Sequence, residues 1–167
     1  MKKLRLVTLL ALSVTASAPL LAAPAPAIYA GADFGINSAS TLSTSRNRPS
    51  FGATLGYRFN EQIAAEVFAR TLDYVGDGVN APKSHMGIGL VASVPLAAQW
   101  SLVGRLGVGR TALTDGLRQS NSGALTDASI GAGVRYAFGD KWAVKLEQSY
   151  LEKSKVRLTT VGVELQF

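Results

Sequence analysis

From Ser50 to Phe59 the chain alternates. Phe51, Ala53, Leu55, Tyr57 and Phe59 are apolar, and Gly52, Thr54, Gly56 and Arg58 between them are small or polar. Successive side chains of a β-strand point to opposite faces, so this register describes a strand with one apolar face. The same rule finds seven more segments. Ile28, Ala30, Ala32, Phe34 and Ile36 mark the first, and after the second, Ile63, Ala65, Val67, Ala69 and Thr71 mark the third. Met86 to Leu96, Trp100 to Val108 and Ala128 to Phe138 carry the fourth, fifth and sixth, with the apolar residues at even positions. Trp142, Val144, Leu146, Gln148 and Tyr150 form the stripe of the seventh, and Thr159, Val161, Val163, Leu165 and Phe167 that of the eighth. Charges played no part in choosing these faces, and they test them. Asp33, Arg58, Glu66, Arg70, Arg105, Arg135, Lys145, Glu147 and Glu164 are the charged residues inside the spans, and all of them fall on the opposite face. Independent placement does that about once in five hundred trials.

The question is then which solvent meets the apolar face. No apolar run after the first strand approaches the roughly 18 residues of a membrane helix, although 47% of the residues are hydrophobic. Seventeen glycines spread through the apolar segments oppose helix formation. Phe59 to Ile63, Leu96 to Trp100 and Phe138 to Trp142 are turns of identical spacing, and longer polar connections lie between them: Asn37 to Ser50, Asp73 to Ser84, Thr111 to Asp127 and Leu151 to Arg157. Short turns at one end, longer loops at the other and an even number of strands predict an antiparallel eight-stranded transmembrane β-barrel in an up-and-down meander. Phe59, Trp100, Phe138, Trp142 and Phe167 all sit at the short-turn end and Tyr74 and Tyr150 near the loops, as interfacial girdles require. In hydrocarbon no backbone edge is left unpaired, so the eighth strand is expected to pair with the first.

The first 25 residues are expected to be a leader rather than barrel. Lys2, Lys3 and Arg5 precede an apolar run from Leu6 to Leu12 and a small-residue tail, the order of a secretory signal peptide, with cleavage expected between Ala22 and Ala27. The barrel domain is then 28–167. The leader holds three of the 17 basic residues and none of the 11 acidic ones, so the formal charge of +6 falls to +3 without it. A nucleic-acid footprint is not supported. The absence of cysteine excludes disulfides, a lipidated cysteine and thiolate metal sites.

Tyr29-Ala30-Gly31-Ala32, Gly56-Tyr57-Arg58-Phe59, the turn Tyr136 to Trp142 and the terminal Val163-Glu164-Leu165-Gln166-Phe167 together resemble the small eight-stranded outer-membrane barrels typified by the OmpA transmembrane domain and OmpX-like proteins. That resemblance implies an outer-membrane location in a Gram-negative cell. It also implies that Leu165 and Phe167 are read by the barrel-assembly machinery, and that both termini and the short turns face the periplasm. Because the chain ends at Phe167, the cell-wall-binding domain of full-length OmpA is not expected.

Eight strands enclose a space that side chains fill, so an open pore is not expected. The nine inward charges predict a lumenal ion-pair network, with Glu66, Arg135, Lys145 and Glu164 at one level and Asp33, Arg105 and Glu147 one inward position further. A structural role is the reading preferred, and a narrow passive channel is an alternative should water-filled gaps join. The runner-up reading, ahead of the channel, is a lipid-A-modifying enzyme, since some small outer-membrane barrels modify lipid A with a Ser/His/acid set. His85 beside Ser84, with Asp73 or Asp77, would supply it, but adjacent strand residues diverge, which favours an interior histidine. No cofactor or metal is predicted, since one histidine makes no cluster. The connections are read as carrying Arg46, Arg48, Lys83, Arg110, Arg118, Lys153, Lys155 and Arg157 against Asp73, Asp77, Asp115, Asp127 and Glu152. Arg110 and Arg157 stand where strands leave the apolar zone, placed to pair with lipopolysaccharide phosphates. The expected partners are therefore outer-membrane lipid, the assembly machinery and a surface ligand of the loops, for a monomeric barrel. The Ser/Thr-rich stretch Ser38 to Ser45 encodes no readable partner.

Overall fold

The computed structural model of the chain describes residues 26–39, 47–72, 81–114 and 123–167. Residues 1–25, expected to be a leader, and Arg46, Arg118, Asp73, Tyr74, Asp77 and Asp115 lie outside the described residues. The eight alternating segments form strands β1 (Ala27–Ala39), β2 (Arg48–Arg58), β3 (Ile63–Thr71), β4 (Ala81–Pro95), β5 (Trp100–Thr114), β6 (Ala124–Phe138), β7 (Trp142–Leu151) and β8 (Val156–Gln166). Each pairs antiparallel with its sequence neighbours, and β8 pairs with β1, closing the barrel. Closure extends to the last residue, whose N–H donates to the Ile28 carbonyl at 2.9 Å.

The apolar face is the outer one. Leu106 is 63% exposed and Ile88 60%, whereas Glu66, Arg105 and Glu147 on the alternate positions are 4%, 6% and 3% exposed. A soluble protein inverts this arrangement, and only an apolar solvent makes it favourable. No described helix is long and apolar enough to cross a membrane, so the crossing elements are the strands.

Register fixes depth. Following directly opposed residues from Ile28 through Tyr57, Ala65, Leu90, Leu106, Ile130, Tyr150 and Arg157 returns to β1 at Ser38, ten residues beyond the start. A stagger of ten over eight strands corresponds to a tilt of about 40°. One strand step therefore shifts depth by about one and a quarter residues. On that scale Arg110, Arg157 and Thr71 end the apolar band at one height, and Phe59, Trp100, Phe138 and Trp142 begin it at another.

The short turns have local causes. The Asn60 side-chain oxygen accepts from the N–H groups of Gln62 and Ile63 at 2.9 and 2.8 Å, a turn built by one side chain. Gly139, at φ 64°, takes the left-handed position of the β6–β7 turn that a Cβ would strain.

The sequence reading needs correcting at the loop end. Strands run past the apolar band, so Arg48, Lys83, Arg110, Arg157 and Asp127 belong to strands, not loops. The connection read as a long loop from Leu151 to Arg157 is a tight turn of four residues, 152–155, the same length as the turns 59–62 and 96–99 at the other end. Polar residues mimic a loop there because the strands have already left the hydrocarbon. A register shift between Pro82 and Ser84 also turns Pro82 inward and leaves Lys83 exposed.

Candidate functional site

The lumen is filled in tiers. At the short-turn end the Glu164 carboxylate receives three cations: Arg135 Nε at 2.9 Å, Lys145 Nζ at 3.1 Å and Arg58 Nη2 at 3.8 Å. Arg58 also donates to Gln166 Oε1 at 2.8 Å. Lys145 reaches up to Glu147 Oε2 at 3.6 Å and so joins this tier to the next. There Arg105 lies between two carboxylates, with Nε 2.7 Å from Glu66 Oε1 and Nη2 3.2 Å from Glu147 Oε2. The Tyr29 hydroxyl donates to Glu66 Oε2 at 3.0 Å. Higher still, Arg70 Nη2 meets Asp33 Oδ2 at 3.3 Å. The Phe68 ring lies between these tiers, 5.9 Å from the Arg105 guanidinium and 6.0 Å from that of Arg70.

All nine inward charges therefore have an opposite charge within reach, but the levels differ from those read along the strands. The barrel stagger lifts Glu66 to Arg105 and Glu147, and Arg58 reaches Glu164 from nearer the short-turn end. Asp33 rises out of the Arg105 level to pair with Arg70. Counting residues along separate strands cannot see this shift, because it accumulates around the circumference.

Inward glycines make room for the long groups. A Cβ on Gly56 would run into the Tyr29 ring, and one on Gly52 into the Asp33 carboxylate. Two small cavities, one at the short-turn end beside Arg58 and Arg135 and one higher beside Asp33 and Gly162, are each about 10 Å³, close to the smallest space that holds a single water.

Above the charges the lumen changes character. Leu72, Leu151, Val156 and Leu158 point inward and are almost wholly buried, forming an apolar plug near the loop end. Beside it the Asp127 carboxylate accepts from the N–H groups of Lys153 and Ser154 at 2.7 and 2.9 Å and from the Ser154 hydroxyl, tying the β7–β8 turn to β6. His85 is 1% exposed, with Nδ1 3.0 Å from the Thr111 hydroxyl and its ring 5.3 Å from that of Phe68. Ser84 sits on the other side of the strand. Asp127, Tyr29, Phe68 and the plug were missed in the sequence. The available signal for Asp127 was its parity, which continues that of Ser129 and Gly131.

On the outer surface Arg110 and Arg157 are exposed one inward–outward period beyond Val108 and Thr159. At the opposite border Trp100, Tyr136 and Phe138 contact one another in sequence, with ring centroids 4.8 and 4.7 Å apart, and Tyr136 donates to Gln99 at 2.7 Å. Phe59, Trp142 and Phe167 complete that belt, each about half exposed or more. Among the described residues no group of His, Cys, Asp and Glu is arranged to hold a metal ion.

Residues 6–167 match a family described as the outer membrane protein β-barrel domain. Three solved barrels share the fold. The N-terminal β-barrel domain of Pseudomonas aeruginosa OprF is 15% identical, with a TM-score of 0.61 over 84% of this chain and 97% of that one. Neisserial surface protein A is 18% identical, with a TM-score of 0.56 over 88% and 100%. The attachment invasion locus protein Ail of Yersinia pestis is 17% identical, with a TM-score of 0.55 over 85% and 97%. No curated protein matches the chain.

Proposed function

Because the chain belongs to the family of outer membrane protein β-barrel domains, we propose that it serves the outer membrane as a non-catalytic structural or surface-interaction protein without an open pore. The observation that carries this reading is the lumen. Three tiers of paired charge and an apolar plug stand in series along the lumen, and eight strands enclose little more space than side chains fill. A conducting pore needs a lined aqueous passage, and the charges here are engaged with each other.

Delivery and placement follow from the ends of the chain and the rim. The N-terminal segment directs export and is removed within 22–27. Leu165 and Phe167 present the terminal signal to the assembly machinery. Arg110 and Arg157, at the loop-end border of the apolar band, pair with lipopolysaccharide phosphates, and the barrel works as a monomer whose loops meet a surface ligand. An enzymatic role for His85 gains no support from its position, buried in the lumen and across the strand from Ser84.

Two experiments test the reading. Planar-bilayer recordings of the refolded barrel are expected to show no reproducible conductance steps, and regular steps would replace it with the channel reading. Mass spectrometry of lipid A from cells with and without the protein is expected to give identical species. A His85-dependent change in acylation would make the protein an enzyme.

A further inference from the structure

Inside the apolar band the outer face of the described strands carries one amide, Gln148, beside the hydroxyl of Thr159. Gln148 is exposed on the outer face of β7, directly opposite Ala132 of β6 and Thr159 of β8. Allowing for tilt, the other strands present Phe34, Ala53, Ile88, Leu106 and Ile130 at this depth. Gln148 lies about three residues below the height of Arg157 and Arg110 that ends the apolar band. Its primary amide has two donors and an acceptor and, among the described residues, no hydrogen-bond partner. A polar group held against hydrocarbon without a partner is unfavourable, so its place calls for a ligand.

The surroundings say which. The row above is Ile130, Tyr150 and Arg157, again directly opposed across β6, β7 and β8. These residues with Ala132 and Gln148 border a groove of about 390 Å³ in the outer surface, open because Ala132 stands where a larger side chain would close it. Lys155 places its ammonium 6.0 Å from the Tyr150 ring, so the upper edge of the groove is basic. Arg157 is the diagonal neighbour of Gln148, and such pairs stand roughly 7 to 8 Å apart. The groove therefore offers a cation at the rim, an amide one row lower and an apolar floor running down past Leu146 and Val161.

We propose that the outer face of β6, β7 and β8 holds one lipopolysaccharide molecule of the outer leaflet, with a phosphate on Arg157, the carbonyl of an acyl linkage on the Gln148 amide and the acyl chain along the groove. This rests on the reading that the basic rim meets phosphorylated lipid and adds a defined site to it. Charge complementarity selects an anionic headgroup over a neutral one. The amide below the rim selects a lipid whose phosphate and acyl carbonyl lie a few bonds apart.

The test is native mass spectrometry of the refolded full-length barrel in detergent, titrated with lipid A, dephosphorylated lipid A or phosphatidylglycerol, each variant first shown to be folded by its heat-dependent electrophoretic shift. Gln148→Leu suits hydrocarbon and is expected to fold. It should weaken lipid A and dephosphorylated lipid A alike, about five- to tenfold, the scale of one lost hydrogen bond. Arg157→Gln should weaken lipid A but not its dephosphorylated form. Unchanged lipid A binding by Gln148→Leu, with Arg157→Gln still impaired, overturns this site and leaves the basic-rim reading standing. Unchanged binding by Arg157→Gln and Arg110→Gln together overturns that reading as well. Phosphatidylglycerol bound as tightly as lipid A, with the same dependence on Gln148, overturns the choice of lipid. A dimer that Gln148→Leu dissociates, with lipid binding unaltered, would assign the amide to a second copy of the chain.

Discussion

Arg105 holds two buried carboxylates, Glu66 and Glu147, at 2.7 and 3.2 Å, and nothing else in the lumen carries as much unshared responsibility. Lys145 also touches Glu147, and Glu164 has three cations, so loss of one of those is partly covered by the others. Arg105→Ala leaves Glu66 with the Tyr29 hydroxyl and no cation. The expected cost is about 3 to 5 kcal/mol, the range for breaking a buried pair from one side. Urea unfolding of the variant in lipid vesicles measures it, and a change below 1 kcal/mol would mean that the pair is solvated. The sequence disclosed which charges face inward, because parity alone decides that. It did not disclose which of them meet, since Glu66 and Arg105 become neighbours only after the stagger of the intervening β4 is added.

At the scale of the strand, the apolar face is a commitment to a particular solvent. Leu55 on β2 and Val134 on β6 lie near the middle of the band, and an arginine at either meets hydrocarbon. Leu55→Arg and Val134→Arg are each expected to cost about 2 to 4 kcal/mol in a bilayer, read from the same unfolding midpoints. Tolerance of both would reverse the assignment of faces. Alternation made the eight strands legible only where one side met lipid. Beyond the rim both faces are polar, and there the sequence hid the further course of β4, β5 and β6 and the four-residue β7–β8 turn. Asp127 shows what was lost: read as a loop carboxylate, it is buried and accepts the N–H groups of Lys153 and Ser154. Asp127→Ala should speed amide hydrogen exchange at Lys153 and Ser154 and leave the mid-barrel amides of β7 unchanged. Equal protection in the variant would show that the turn holds itself.

For the molecule as a whole, closure and stagger set everything that the lumen does. Pairing of β8 with β1 satisfies the backbone in a medium that offers no other partner, and a ten-residue stagger sets a bore that side chains fill. The residue-by-residue register could not be read from the chain, but the number of strands, their meander order and the pairing of the last with the first could, and together these left little freedom in the architecture. The account therefore stands on one claim, that hydrocarbon surrounds the odd residues of β2 and the even residues of β6 while their neighbours are enclosed. The absence of native cysteine allows a clean measurement. Nitroxide labels at single cysteines placed at Ala53, Leu55, Val134 and Val163, and at Thr54, Ser129, Ser149 and Thr160, are compared in vesicles for collision with dissolved oxygen and with a water-soluble nickel complex. The first four are predicted to collide with oxygen and be shielded from nickel, and the second four to be shielded from both. Labels at the first four that meet nickel freely, with no alternation between neighbours, would contradict the account.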